Sequence, residues 1–111
     1  MVDKALQQEI DQLHAGICHC LAEPTRIAIL YALSEGKKNV RELMEELDIG
    51  RATASRHLKV LRDRSMVIGA RDGVSIYYTL ADARVIEALD LLRDVLARIL
   101  AQRKALVEAL E

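Results

Sequence analysis

Between Val40 and Leu80 the spacing of apolar residues changes period once, and that change admits few folds. Val40, Leu43, Met44 and Leu47 recur at the spacing of one helix face; after Asp48-Ile49-Gly50 the same spacing returns in Ala54, Leu58 and Leu61. Two short helices separated by a brief turn that contains a glycine are the sequence sign of a helix-turn-helix, here over residues 40–64. From Ser65 the pattern alternates instead. Ser65–Arg71 and Val74–Leu80 flank Asp72-Gly73, a dipeptide favoured in tight hairpins because both central positions of such a turn take positive φ. A hairpin directly after a helix-turn-helix reads as a wing, residues 65–80.

The flanks are helical. Leu6, Ile10, Leu13 and Ile17 form one stripe on a helix from about Asp3 to Leu21. Pro24 suits the first turn of the next helix, where its missing N–H costs nothing, and Gly36 stops that helix after Ser34. From Asp82, read as an N-cap, helix is expected to about Ala109, with Val85, Leu89, Leu92, Leu96, Ile99, Leu106 and Leu110 at heptad spacing and Arg103 in one apolar slot. About 28 residues at about 1.5 Å each make an element of about 42 Å. A helix that long overhangs a small domain, so its stripe needs a partner. The expectation is a homodimer closed by residues 1–21 and 82–111; the alternative is a long helix packed within its own chain. The fold is therefore read as mostly α with a β-hairpin wing: one winged helix-turn-helix domain over residues 1–111, ordered α1-α2-α3-α4-β1-β2-α5.

Composition agrees. The chain has 111 residues, 51% hydrophobic, and its only aromatics are three tyrosines, so the core must come from aliphatic side chains that suit packed helices. Its longest apolar run, Ile27–Leu33, falls far short of the roughly 20 residues that span a bilayer. No cationic segment leads into an apolar block at the start, so a cytoplasmic location is expected. Cys18 and Cys20 lie too close together to staple a fold and are read as thiols.

Net charge is −1, which alone disfavours a nucleic-acid ligand, but its distribution points the other way. Residues 51–71 hold six Lys or Arg against Asp63 alone, a local +5 on a remainder of −6. On the helix RATASRHLKVLRDR, Ala52, Arg56, Lys59 and Asp63 lie opposite the Ala54/Leu58/Leu61 stripe, with Thr53 and Ser55 on the flanks. A solvated helix face is the bland reading of such a run. The sharper reading is a recognition helix: small residues at its N-terminus permit close approach to a major groove, hydroxyls and Arg56 read base edges, and Lys59 and Arg62 meet phosphates. Arg71, beside the hairpin turn, reaches a phosphate or a minor groove. The candidate DNA-contacting set is Arg51, Ala52, Thr53, Ser55, Arg56, His57, Lys59 and Arg62 on the helix, with Arg71 and Ser75 on the wing. For His57, beside the buried stripe, packing or a phosphate contact is favoured over a metal.

Three blocks, Leu21-Ala-Glu-Pro-Thr-Arg-Ile27, Ser55-Arg-His-Leu-Lys-Val-Leu61 and Arg71-Asp-Gly-Val-Ser-Ile-Tyr-Tyr78, resemble successive blocks of the ArsR/SmtB family of bacterial metal- and redox-responsive repressors. The likeness covers about residues 15–80. It implies a dimeric winged helix-turn-helix that occupies double-stranded operator DNA and leaves when an inducer binds. The chain also departs from the family. Val74 follows the wing glycine where many relatives have a second basic residue. No cysteine stands near Asn39–Arg41, where relatives with a thiol pair at the start of the helix-turn-helix bind metal. Asp82 matches the first position of the family's zinc site on the last helices, but Arg84, Val95 and Arg98 fall where the other ligands belong. Neither of those metal sites can form.

His14-Ala-Gly-Ile-Cys-His-Cys20 remains. Cys18, Cys20, His14 and His19 are donors suited to zinc, copper(I) or arsenite-like As(III), and form the candidate inducer site. On a regular helix His14 and Cys18 share a face while Cys20 points away, onto the Leu6/Ile10/Leu13/Ile17 stripe. Joining both sulfurs requires a local break, which Gly16 makes conceivable, or a two-fold axis that unites two subunits. Three readings stay open: a thiol-based inducer site, a cysteine oxidation switch, and a small buried Cys20 beside a bystander Cys18.

Catalysis is not expected. Ser55 and His57 point apart on one helix, no Gly-rich phosphate loop exists, and Cys-His-Cys is not a thiol-disulfide spacing. The competing non-enzymatic readings are a winged-helix module for protein partners and a DNA-binding regulator with no metal or thiol effector.

Overall fold

The computed structural model describes residues 1–111. Its first helix, α1, opens at Lys4–Leu13, where the Asp3 carboxylate accepts the Leu6 N–H at 2.9 Å. The regular helix expected to Leu21 is interrupted. His14–Cys18 form a π-helical turn, with the His19 N–H bonded to the His14 carbonyl, before a last turn His19–Leu21 completes α1. A π turn inserts one residue and rotates the C-terminal part of a helix by roughly a quarter turn against the N-terminal part. That corrects the placement of Cys20, which is fully buried in the core while Leu6, Ile10, Leu13 and Ile17 stay exposed.

Helix α2 spans Pro24–Ser34, and the Glu23 carboxylate caps it by accepting the Thr25 N–H at 2.9 Å. The loop after it carries an isolated β-bridge: Lys38 and Tyr78 exchange backbone N–H···O bonds of 3.2 and 2.8 Å and clip the loop to the wing. Helix α3, Val40–Leu47, starts from a capping box in which Asn39 and Glu42 satisfy each other's backbone N–H. It ends at Asp48, which takes the left-handed conformation at φ 52°. After Ile49 and Gly50 comes α4, Arg51–Asp63. Its end is a Schellman motif: Met66 N–H bonds the Leu61 carbonyl at 2.8 Å, Ser65 N–H bonds the Arg62 carbonyl at 3.0 Å, and Ser65 sits at φ 61°.

Strands β1, Val67–Asp72, and β2, Ser75–Leu80, pair antiparallel from Val67↔Leu80 to Asp72↔Ser75. The tight turn is centred one residue later than Asp72-Gly73. Asp72 is paired with Ser75, so Gly73 and Val74 are central, and only Gly73 has positive φ, 65°. Glycine first and an ordinary residue second is the requirement of a II′ turn, so Val74 is accommodated without strain. The last helix, α5, runs Arg84–Leu110; Asp82 still serves it, two residues ahead of its start, by accepting the Arg84 N–H at 2.9 Å.

Cys20, Ile29, Leu30, Leu43, Leu58 and Leu61 form the driest part of the core, where α2, α3 and α4 meet, with Val67, Tyr78 and Leu89 brought in by the wing and α5. Tyr31 ties α2 to α5 by donating to Asp90 at 2.6 Å beneath the Arg93 guanidinium. Only 15 of 111 residues are buried, because most of α1 and α5 projects past this core and gives the molecule extents of 59 × 43 × 22 Å. No helix is long and apolar enough to cross a membrane.

Candidate nucleic-acid interface

The buried stripe Ala54/Leu58/Leu61 fixes which side of α4 faces outward. Arg51, Ala52, Ser55, Arg56, Lys59 and Arg62 are exposed there, and Thr53 is half-buried at the edge. Lys59 is engaged by Asp63 at 2.9 Å, and that hydrogen bond holds the Asp63 carboxyl below its ordinary range. Arg51, Arg56, Arg62 and Arg71 enter none of the molecule's ion pairs. Arg71 is exposed on β1 and Ser75 half-buried beside the turn.

His57 leaves the DNA-facing set. It is 7% exposed, turned inward beside the stripe, and its Nδ1 accepts from Arg26 Nη1 at 3.2 Å, which places the proton of the neutral ring on Nε2. That nitrogen lies 3.9 Å from the Glu23 carboxylate. Burial first, then the positive charges of Arg26 and Arg56, push the His57 pKa below its ordinary value against the pull of Glu23. Arg26, itself buried, uses its other nitrogens on the end of α1: Nε donates to the Cys20 carbonyl at 2.9 Å and Nη2 to the His19 carbonyl at 3.1 Å. One guanidinium thus joins the end of α1 to the middle of α4.

A cleft of about 550 Å³ opens between the start of α3, the start of α4 and the wing, lined by Asn39, Arg41, Arg51, Ser75 and Tyr77 among others. Lys37 stands 5.2 Å over the Tyr77 ring on the same side. The sequence reading misses Arg41 and Lys37, although the three cations within KKNVR, at the start of α3, carry the signal. The cleft offers an anion two guanidiniums from different elements, Arg51 outside every ion pair and Arg41 in an exposed pair with Glu45 at 3.7 Å, an arrangement suited to a phosphate backbone that passes between a reader helix and a wing.

The candidate inducer donors do not come together. Cys18 is an exposed thiol on the π turn, His14 and His19 are exposed, and Cys20 is buried with its pKa raised by that burial. No three His, Cys, Asp or Glu side chains in the chain are arranged to hold a metal ion. Asp82 is committed to Arg84, whose hydrogen bonds bring its carboxyl down to about 2.

The comparisons agree with this architecture. The family described as bacterial regulatory protein, arsR family, matches residues 23–68, from the cap of α2 through the start of the wing. The HTH-type transcriptional regulator Rv0081 of Mycobacterium tuberculosis is 39% identical over 101 residues, covering 89% of this chain and 88% of the relative. Its crystal structure superposes with a TM-score of 0.73 over 92% of this chain and 98% of that one. The HTH-type transcriptional regulator CmtR of Mycobacterium bovis is 34% identical over 87% of each chain. A homodimeric winged helix-turn-helix DNA-binding domain, Mb0332 of Mycobacterium bovis, aligns at a TM-score of 0.74 and 26% identity, covering 89% of this chain and 91% of that one. The helix-turn-helix, the wing and these relatives together place the chain in the ArsR family of bacterial regulatory proteins.

Proposed function

We propose that the chain is a homodimeric transcriptional repressor that binds double-stranded operator DNA in the cytoplasm, with the outer face of α4 in the major groove and the wing against the flanking backbone. The observation that carries this reading is the exposed face of α4, where Arg51, Arg56 and Arg62 enter no ion pair on a protein whose net charge is −1. Ala52, Thr53 and Ser55 give the N-terminal half of that face a low profile and two hydroxyls for base edges, while Arg62 and the Arg41/Arg51 cleft hold phosphates. Arg71 and Ser75 extend the footprint along the wing. The exposed apolar stripes of α1 and α5 supply the second subunit, as the homodimeric relative supports.

A thiophilic ion such as zinc, copper(I) or arsenite does not fit the donors of one chain, because Cys20 is inside the core and Cys18 has no second thiol beside it. A site of that kind would need Cys18, His14 or His19 from two subunits.

Salt titration tests the reading against a winged-helix module for protein partners. Binding to the region upstream of the chain's own gene should lose at least about fortyfold between 50 and 200 mM salt if three or more phosphates are neutralised. Affinity independent of salt contradicts it.

A further inference from the structure

From Leu13 to His19 no side chain of α1 is buried, so core packing does not fix this segment. Its backbone carbonyls do. Arg64, the residue that closes α4, donates from Nη1 to the Ala15 carbonyl inside the π turn at 2.7 Å. Arg26 holds the His19 and Cys20 carbonyls just beyond the turn and passes to α4 through His57. The segment is therefore gripped at both ends by guanidiniums, and both grips lead to one helix, at its middle and at its end.

A π turn is a register defect in an otherwise α-helical element, and moving the extra residue along the helix would displace the carbonyls that the two cations hold. Arg64 to Ala15 is a charge-assisted bond in an exposed setting, and Arg26 sits in a buried one, so the two grips differ in strength. We propose that Arg26 and Arg64 are positioning residues that couple the π turn of α1 to the reader helix, so that DNA on α4 changes the backbone of residues 14–20 and a change in that backbone alters DNA affinity. Reciprocity is required by linkage: whatever factor separates the operator affinities of the gripped and released states also separates their populations with and without DNA. The inference rests on α4 being the DNA reader. The same geometry makes α1 more than half of a dimer contact, because its one irregular turn is wired to α4.

Backbone amide exchange on the full-length protein tests this, in wild type, Arg64→Gln, Arg64→Lys and Arg26→Lys, with and without the upstream duplex. In wild type the duplex should slow exchange of the amides of residues 16–20 severalfold. Arg64→Gln should abolish that response and lower operator affinity about tenfold, within the usual range of coupling between sites, while Arg64→Lys restores part of both. Wild type that binds the duplex with unchanged exchange at 16–20 overturns the inference, as does Arg64→Gln that loses affinity yet keeps the response, which would make Arg64 a phosphate contact only. If wild type binds no DNA, the reader assignment fails instead, and the DNA-free samples decide the grip. Arg64→Gln or Arg26→Lys must then speed exchange in residues 16–20 and in the last turn of α4 together; a change confined to one of the two, or none, overturns it.

Discussion

Arg56 projects from the outward side of α4 with no acid to neutralise it, whereas Lys59, one turn along, already shares its charge with Asp63. Arg56→Ala should therefore weaken operator binding by about 1–3 kcal/mol and relax base preference if its contact is bidentate, as read by competition between operator variants. His57 shows where the sequence falls silent. Its place next to the Ala54/Leu58/Leu61 stripe is legible from periodicity, but its partner Arg26 lies 31 residues away, and only the folded chain brings them to 3.2 Å. The same fold gives His57 a pH signature. Its native pKa is lowered, by burial first and then by Arg26 and Arg56 with Glu23 opposing, so below about 6.5 the unfolded chain binds a proton that the native chain resists. Stability from this group is complete above that value and falls as pH drops through it toward the native pKa. Denaturation midpoints of wild type and His57→Gln should therefore differ by an amount that changes between pH 7 and 5; parallel profiles contradict the burial argument. Cys18 and Cys20 point apart already on a regular helix, and the fold makes the first a surface thiol and the second a core residue, as the packing reading of the pair expects.

At the level of elements, helix ends are readable wherever a residue type enforces them. Pro24 and Gly36 bracket α2, and Asn39 with Glu42 fixes the start of α3. The π turn is readable only in part: Gly16 marks where the helix can break, but the contact from Arg64 to the Ala15 carbonyl spans 49 residues and has no local signal. Sequence alone sets the wing turn one residue early because Asp-Gly and Gly-Val are both acceptable hairpin dipeptides, and the choice between them is made by the register Asp72↔Ser75. That register is reinforced where Tyr78 lies over Gly69, at which an added Cβ would meet the ring at 3.1 Å. The junction from α4 to β1 offers a direct test of local energetics. Ser65 holds a left-handed conformation that glycine adopts without steric cost, so Ser65→Gly should raise stability by about 1 kcal/mol. A thermal scan that shows no gain would mean that the Schellman geometry is not held in solution.

The whole molecule is a small core with two long apolar surfaces. Leu92, Leu96, Ile99, Leu106 and Leu110 on α5 and Leu6, Ile10, Leu13 and Ile17 on α1 are all exposed in the single chain, more apolar surface than a soluble monomer ordinarily leaves open. Heptad spacing makes both stripes legible in the sequence, and the cationic run of α4 is legible as well. The cleft that joins Arg41 to Arg51 and the wing is not, because it is made by three elements at once. A second subunit would place two copies of α4 on one face of a duplex, and hydroxyl-radical footprinting of the chain's own upstream region tests that claim most directly. Wild type should give two protected patches about one helical turn, roughly 10 bp, apart, and both should be lost together in Leu96→Glu, which puts a charge into the α5 stripe. A single protected patch that survives in Leu96→Glu, or no protection by wild type at low salt, would contradict it.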